Sequence, residues 1–183
     1  MKDTKLSSSY TVRKYKELKL AQDRDNIAEL IYERFFERYI RPFESNSNKH
    51  GFSMMAVSCL MIEALHSFKN GWKRTRGKGG VAFENFFSNS THFKEFFGTD
   101  VDFYSNIRCG ILHQAETNAG WKIIRKGPLL DKSQKTINAT KFMVALKREL
   151  YEYTSNMKRE PFDSVAWKKA IQKLDYVCEN CIA

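Results

Sequence analysis

The sequence predicts an all-α protein, and three observations carry that expectation. Apolar residues recur at helical spacing through most of the chain. Capping residues and Gly or Pro breaks bracket those stretches. The composition, 42% hydrophobic and 14% aromatic over 183 residues, is that of a globular chain able to fill one core. The architecture expected is a bundle of about five main helices with short extra helices and one small hairpin-like excursion.

The elements follow in chain order. Residues 1–22 are polar and basic, and read as an N-terminal arm or short helix ahead of one helical domain over 23–183. Asp23 or Asp25 caps a helix whose apolar side is Ile27, Leu30, Ile31, Phe35 and Ile40, and Arg41-Pro42 ends it. Residues 45–49 are a plain polar loop. The next helix, 52–68, is hydrophobic nearly all round, which suits a central helix or one at a subunit interface. Glu63 sits inside it, and a carboxylate there needs a partner. Either Glu63 lies at a partly exposed helix edge, or it pairs with Arg108 or a backbone donor. His66 is three residues away, yet no second pair of ligands accompanies them, so no metal site is expected.

Residues 70–80 form a glycine-rich loop with four cations, Lys73, Arg74, Arg76 and Lys78. The spacing excludes a nucleotide phosphate loop: five residues separate Gly71 from Gly77, and Gly79 stands where a Ser or Thr would bind magnesium. The loop reads either as an RNA-contacting segment with Trp72 as a stacking platform, or as a solvated linker with Trp72 on the core. Residues 81–97 carry six phenylalanines, read as core material on two short helices broken at Asn89-Ser90.

Residues 102–114 follow. Phe103, Ile107, Ile111 and Leu112 form an apolar stripe; residues 99–102 resemble a capping box, and Asn118-Ala119-Gly120 reads as the stop. The helix so bracketed has roughly four turns. Asn106 and His113 share a face, while Arg108 and His113 diverge by about 140° on an ideal helix. Either Arg108 bends round, or a second copy supplies the missing partner across a two-fold axis. Two apolar runs around Gly127-Pro128 then read as the excursion, carrying Lys122, Arg125 and Lys126. It would roof the site, with these three cations facing RNA, or cover the core. Amphipathic helices over 138–156 and from Asp163 to the end complete the bundle.

Lys and Arg total 31 against 21 acidic residues, a formal charge of +10, which favours a polyanionic partner, nucleic acid before membrane. No leader-like apolar segment opens the chain, and no apolar run approaches the ~20 residues of a membrane span. The cysteines at 59, 109, 178 and 181 fit buried or incidental free thiols in a reduced, cytoplasmic setting. The Cys178–Cys181 pair lacks the second pair that a structural zinc requires.

Arg108-Cys109-Gly110-Ile111-Leu112-His113 is an arginine, four residues and a histidine on an apolar helix of an all-helical chain. It resembles the Arg-x(4 to 6)-His motif of the HEPN superfamily, many of whose members are metal-independent endoribonucleases of toxin–antitoxin and other defence systems. The resemblance extends over the helical body, about residues 24–180, though its sharp part is those two residues. It implies Arg108 and His113 as catalytic residues, with Asn106, Glu63 and Cys109 in support, RNA as substrate and no cofactor. It further implies a homodimer with the 52–68 and 101–114 helices near its interface, and a possible neutralising partner protein. RNA supplies its own nucleophile, the 2′-hydroxyl, so the protein need supply only proton transfer and positive charge. Family nucleases usually have a polar residue directly after the arginine; here it is Cys109. That departure supports a second reading, a non-catalytic module binding RNA, a nucleotide or protein. A third is a scaffold acting through helix–helix contact.

Overall fold

The structure, a computed structural model, describes residues 3–45, 48, 50–98 and 101–182. It is mostly helical, with a single small sheet. The N-terminal segment is no loose arm. Leu6 is fully buried, and helix α1 (Val12–Leu20) packs Val12, Tyr15 and Leu18 into the core, capped by the Thr11 side chain. Helix α2 (Arg24–Phe35) starts at Asp23, whose carboxylate accepts from the Asn26 amide.

Arg41-Pro42 does not end α2. A π turn over Phe36–Ile40 leads straight into α3 (Arg41–Glu44). Pro42 lies in the first turn of that new segment, where the missing amide proton has no required partner.

Helix α4 (Gly51–Asn70) is the centre of the molecule, packing against α5 (Gly79–Asn89), α7 (Ala139–Arg159) and α8 (Val165–Ile182). It stops at Gly71, whose φ of +67° closes the helix left-handed. Contrary to the sequence reading, α4 alone among the described helices has the length and composition to cross a membrane; over half of that window is buried inside the fold, the mark of a core helix. Five of the six phenylalanines are core: Phe83, Phe86, Phe87, Phe93 and Phe96 are buried and pack ring on ring with Phe103 and Phe142, while Phe97, contrary to the sequence reading, is exposed. Only the first of the two helices predicted there forms. After Ser90 the chain makes a single 3₁₀ turn (Lys94–Phe96), because the Ser90 hydroxyl accepts from the His92 and Phe93 amides and fixes a turn instead.

The central stretch also departs from expectation. Phe103 leads into a π turn (Tyr104–Cys109) and then a short α6 (Gly110–Gln114). The element is shorter than four turns. It ends at Ala115, whose φ is +56°, before the Asn118-Ala119-Gly120 stop is reached. Thr99 and Asp100 of the predicted cap lie outside the described residues; Asp102 caps the π turn by accepting from the Ser105 amide. Gly110 makes this turn-back possible. A β-carbon on it would sit 2.5 Å from the Glu116 carbonyl oxygen, so the chain folds directly over its Cα.

The excursion is not a two-stranded hairpin. Strands β1 (Lys122–Ile124) and β2 (Leu130–Asp131), which flank Gly127-Pro128, do not pair with each other. A third strand, β3 (Thr136–Asn138), lies between them, parallel to β1 and antiparallel to β2. β3 escaped the sequence reading because three residues are too short for an alternation signal. Asn138 ends the strand and caps α7 through the Lys141 amide.

Candidate functional site

The site forms where the Glu63 carboxylate of α4 meets Arg108 of the π turn. Arg108 Nε donates to Glu63 Oε1 at 2.8 Å, with only 18% and 13% of the two side chains exposed. Burial opposes the charge on Arg108, but the hydrogen bond and charge of Glu63 outweigh it and hold the guanidinium pKa above its ordinary value. Arg108 Nη1 then reaches His113 Nε2 at 3.1 Å. A guanidinium only donates, so in this contact the acceptor is Nε2. His113 itself is exposed.

The five-residue spacing that diverges on an α-helix therefore converges within one chain. The reach is the side chain's own: the π winding ends at Cys109, the backbone from Gly110 to His113 is α-helical, and the long Arg108 side chain bends round to meet the ring. Within one chain, Arg108 does bend round to His113, as the first of the two sequence routes requires.

Tyr104, absent from the sequence-predicted set, completes the centre. Its ring lies under the Arg108 guanidinium, 5.4 Å from ring centroid to Cζ. Burial and the adjacent Cys109 thiol push its hydroxyl pKa up. Cys109 interacts with both Tyr104 and Arg108, so it belongs to the wall of the site. Gly79 packs against the same ring; a β-carbon there would fall 2.5 Å from Tyr104 Cε2. The signal available in the sequence was the i, i+4 spacing of Tyr104 and Arg108; the Gly79 contact had none.

The basic loop borders the site. Thr75 Oγ1 donates to the second Glu63 oxygen at 3.5 Å. Lys73, Arg74, Thr75 and Arg76 line an open groove of about 530 Å³ together with Glu63, Leu60, Tyr39 and Lys173. Trp72 is half-buried with its ring edge-on to His66, and the Lys78 ammonium lies over it at 4.9 Å. Trp72 thus rests on the buried His66 with part of its surface open.

Other predicted residues lie apart. The Asn106 side chain donates to the Val101 carbonyl, and the Asn106 backbone carbonyl accepts from the Asn118 amide, so the residue anchors the turn-back loop rather than His113. Arg125 donates to Thr140 and to the Asn48 carbonyl, holding β1 against the start of α4. That end of α4 is roughly 18 Å from Glu63 at the ~1.5 Å helical rise. Lys122 and Lys126 are exposed there, with the excursion covering the core. Among the described residues no group of His, Cys, Asp and Glu assembles as a set of metal ligands.

His66 is buried behind the basic loop, held by Asn70 and flanked by Lys69 and Lys169. Burial, then those two lysines, push its pKa below the ordinary value of 6.5. The unfolded chain therefore binds the proton more readily. Stability is full above that ordinary value and falls as the pH drops below it. Thermal melts at about pH 8 and about pH 5 should show a smaller acid-induced drop in Tm for His66→Gln than for the parent. Equal drops would contradict this placement of His66.

No protein-family model matches the chain, and no curated protein and no solved structure matches it.

Proposed function

We propose that the chain is a HEPN-type endoribonuclease that cleaves by attack of the RNA 2′-hydroxyl. The observation that carries this reading is the Glu63–Arg108–His113 relay, which sets a fixed positive charge and an imidazole side by side at an exposed point. Arg108 meets the non-bridging oxygens of the scissile phosphate with its planar fork. Its shift toward the phosphate frees His113 Nε2 to accept the 2′-hydroxyl proton. The 2′-oxygen then bonds to phosphorus, and the bond from phosphorus to the 5′-oxygen breaks. That oxygen takes a proton from an acid, leaving a 2′,3′-cyclic phosphate and a 5′-hydroxyl. Glu63 holds the guanidinium in place, and Tyr104 supports it from below.

A homodimer belongs to the same reading, now for a chemical reason. One chain offers one His113 at this point, and cleavage uses both a base and an acid. Phe52, Ala56, Leu60 and Ala64 repeat every four residues along α4; Phe52 and Leu60 are exposed, Leu60 by 44%, and the two alanines are half-buried against the core. An apolar stripe in that position suits a second copy. The cytoplasm, where RNA is met, is the compartment proposed.

Two outcomes test the function. An RNA with a single 2′-deoxy substitution should resist cleavage at that linkage alone; cleavage there would exclude 2′-hydroxyl attack. Mixing Arg108→Ala with His113→Ala protein should restore partial activity if the working site draws on both protomers. A second reading, binding without cleavage, rests on Cys109 in the site wall. Salt-sensitive binding of intact RNA would favour it.

A further inference from the structure

Four cations meet beside the site without a carboxylate to balance them. Lys73, Arg74 and Arg76 come from the loop after α4, and Lys173 comes from α8, about a hundred residues later. Tyr176 gathers three of them. Its hydroxyl accepts from Arg74 Nε at 2.6 Å, and the ammonium groups of Lys73 and Lys173 lie 5.9 and 5.4 Å from its ring centroid. Lys173 also donates to the Lys73 carbonyl at 2.9 Å, tying loop to helix. None of the four forms an ion pair among the described residues, although nine other ion pairs occur among those residues. Glu63, the acid in the groove, is bound to Arg108. Burial lowers the Lys173 pKa, and the nearby Arg34 adds to that effect.

Like charges held together repel, so such a cluster stabilises the fold only when an anion occupies it. The groove is continuous with the relay, since Glu63 lines one and binds the other. Its volume, about 530 Å³, is on the scale of a small-ligand site and too small for a duplex.

We infer that this groove holds the phosphodiester backbone of single-stranded RNA flanking the linkage bound at Arg108, with Lys73, Arg74, Arg76 and Lys173 as the groups that meet its phosphates. The inference rests on the nuclease reading for its substrate, but not for its test. Tyr176 is a positioning residue that aims the cations.

Binding is measured in the His113→Ala protein with a fully 2′-O-methylated single strand, so cleavage plays no part. A Lys73→Gln/Lys173→Gln double variant in that background should weaken binding several-fold or more. It should also flatten the dependence of log K on log salt by about 0.7 for each phosphate no longer neutralised. Arg76→Gln, at an exposed position whose loss does not threaten the fold, should move both quantities in the same direction. Lys158→Gln, a remote cation paired with Glu29, should move neither. Unchanged affinity and slope in the groove variants would overturn the inference. So would poly-glutamate binding more tightly than the RNA and failing in the same double variant, since the groove would then serve an acidic peptide.

Discussion

His113→Ala should lower RNA cleavage by roughly 10²–10⁴-fold, the usual contribution of a positioned proton-transfer group, while leaving the fold intact. The side chain is exposed, and its described hydrogen bond is with Arg108, so little packing disappears with it. Arg108→Ala should abolish activity to a similar degree for a different reason, the loss of charge on the transition state. It should also destabilise, because Glu63 is then left largely buried without its main partner, at a cost of about 1–3 kcal/mol. The two variants therefore separate in a thermal melt though not in a cleavage assay. Glu63→Gln gives a third pattern. A carboxamide still accepts from Arg108 Nε but lacks the charge, so the fold should hold while activity falls less than for Arg108→Ala. Equal stability of Arg108→Ala and parent would mean that the Glu63–Arg108 pair contributes nothing to the fold. Full activity in His113→Ala would remove the histidine from the chemistry.

Gly110→Ala should be among the most damaging single-methyl changes available. The new carbon would meet the Glu116 carbonyl at 2.5 Å and the Thr117 Cα at 3.1 Å, both backbone atoms of a segment pinned elsewhere. Thr117 bonds to the Trp121 carbonyl, and Asn118 bonds to Asn106 and Ser105. With no flexible side chain to yield, the insertion should cost about 1–3 kcal/mol. Because Gly110 lies between Arg108 and His113, a shift of this backbone should lower activity as well. Gly77→Ala offers the contrast. It has no neighbour near its Cα but a φ of +73°, so its effect should be confined to the loop backbone. Chemical denaturation of the two variants would show the difference, and similar midpoints would refute the close approach at Gly110.

Much of the bundle was legible because its signals are long. The apolar run of α4 and the period of α7 span enough residues for periodicity to be decisive. Asp23 and Asn138 mark their helix starts chemically. What escaped was short or non-local. The π turn at Tyr104–Cys109 leaves no trace in a helical pattern. β3 depends on its neighbours in the sheet rather than on its own three residues. Of the site, Arg108, His113 and the pairing choice at Glu63 were readable. Tyr104 was available only as a spacing, and Lys173 and Tyr176 not at all, because they join the loop from about a hundred residues away. Asn106 was misplaced by the assumption of ideal α-helical winding, which puts it on the His113 face.

The most direct test of the central claim is cleavage of an end-labelled single-stranded RNA in excess EDTA by the parent protein and by His113→Ala. Fragments ending in 2′,3′-cyclic phosphate are expected from the parent, and intact RNA from the variant. RNA that stays intact with both proteins, or that is cut equally by both, would contradict the assignment of His113 and Arg108 as a ribonuclease centre.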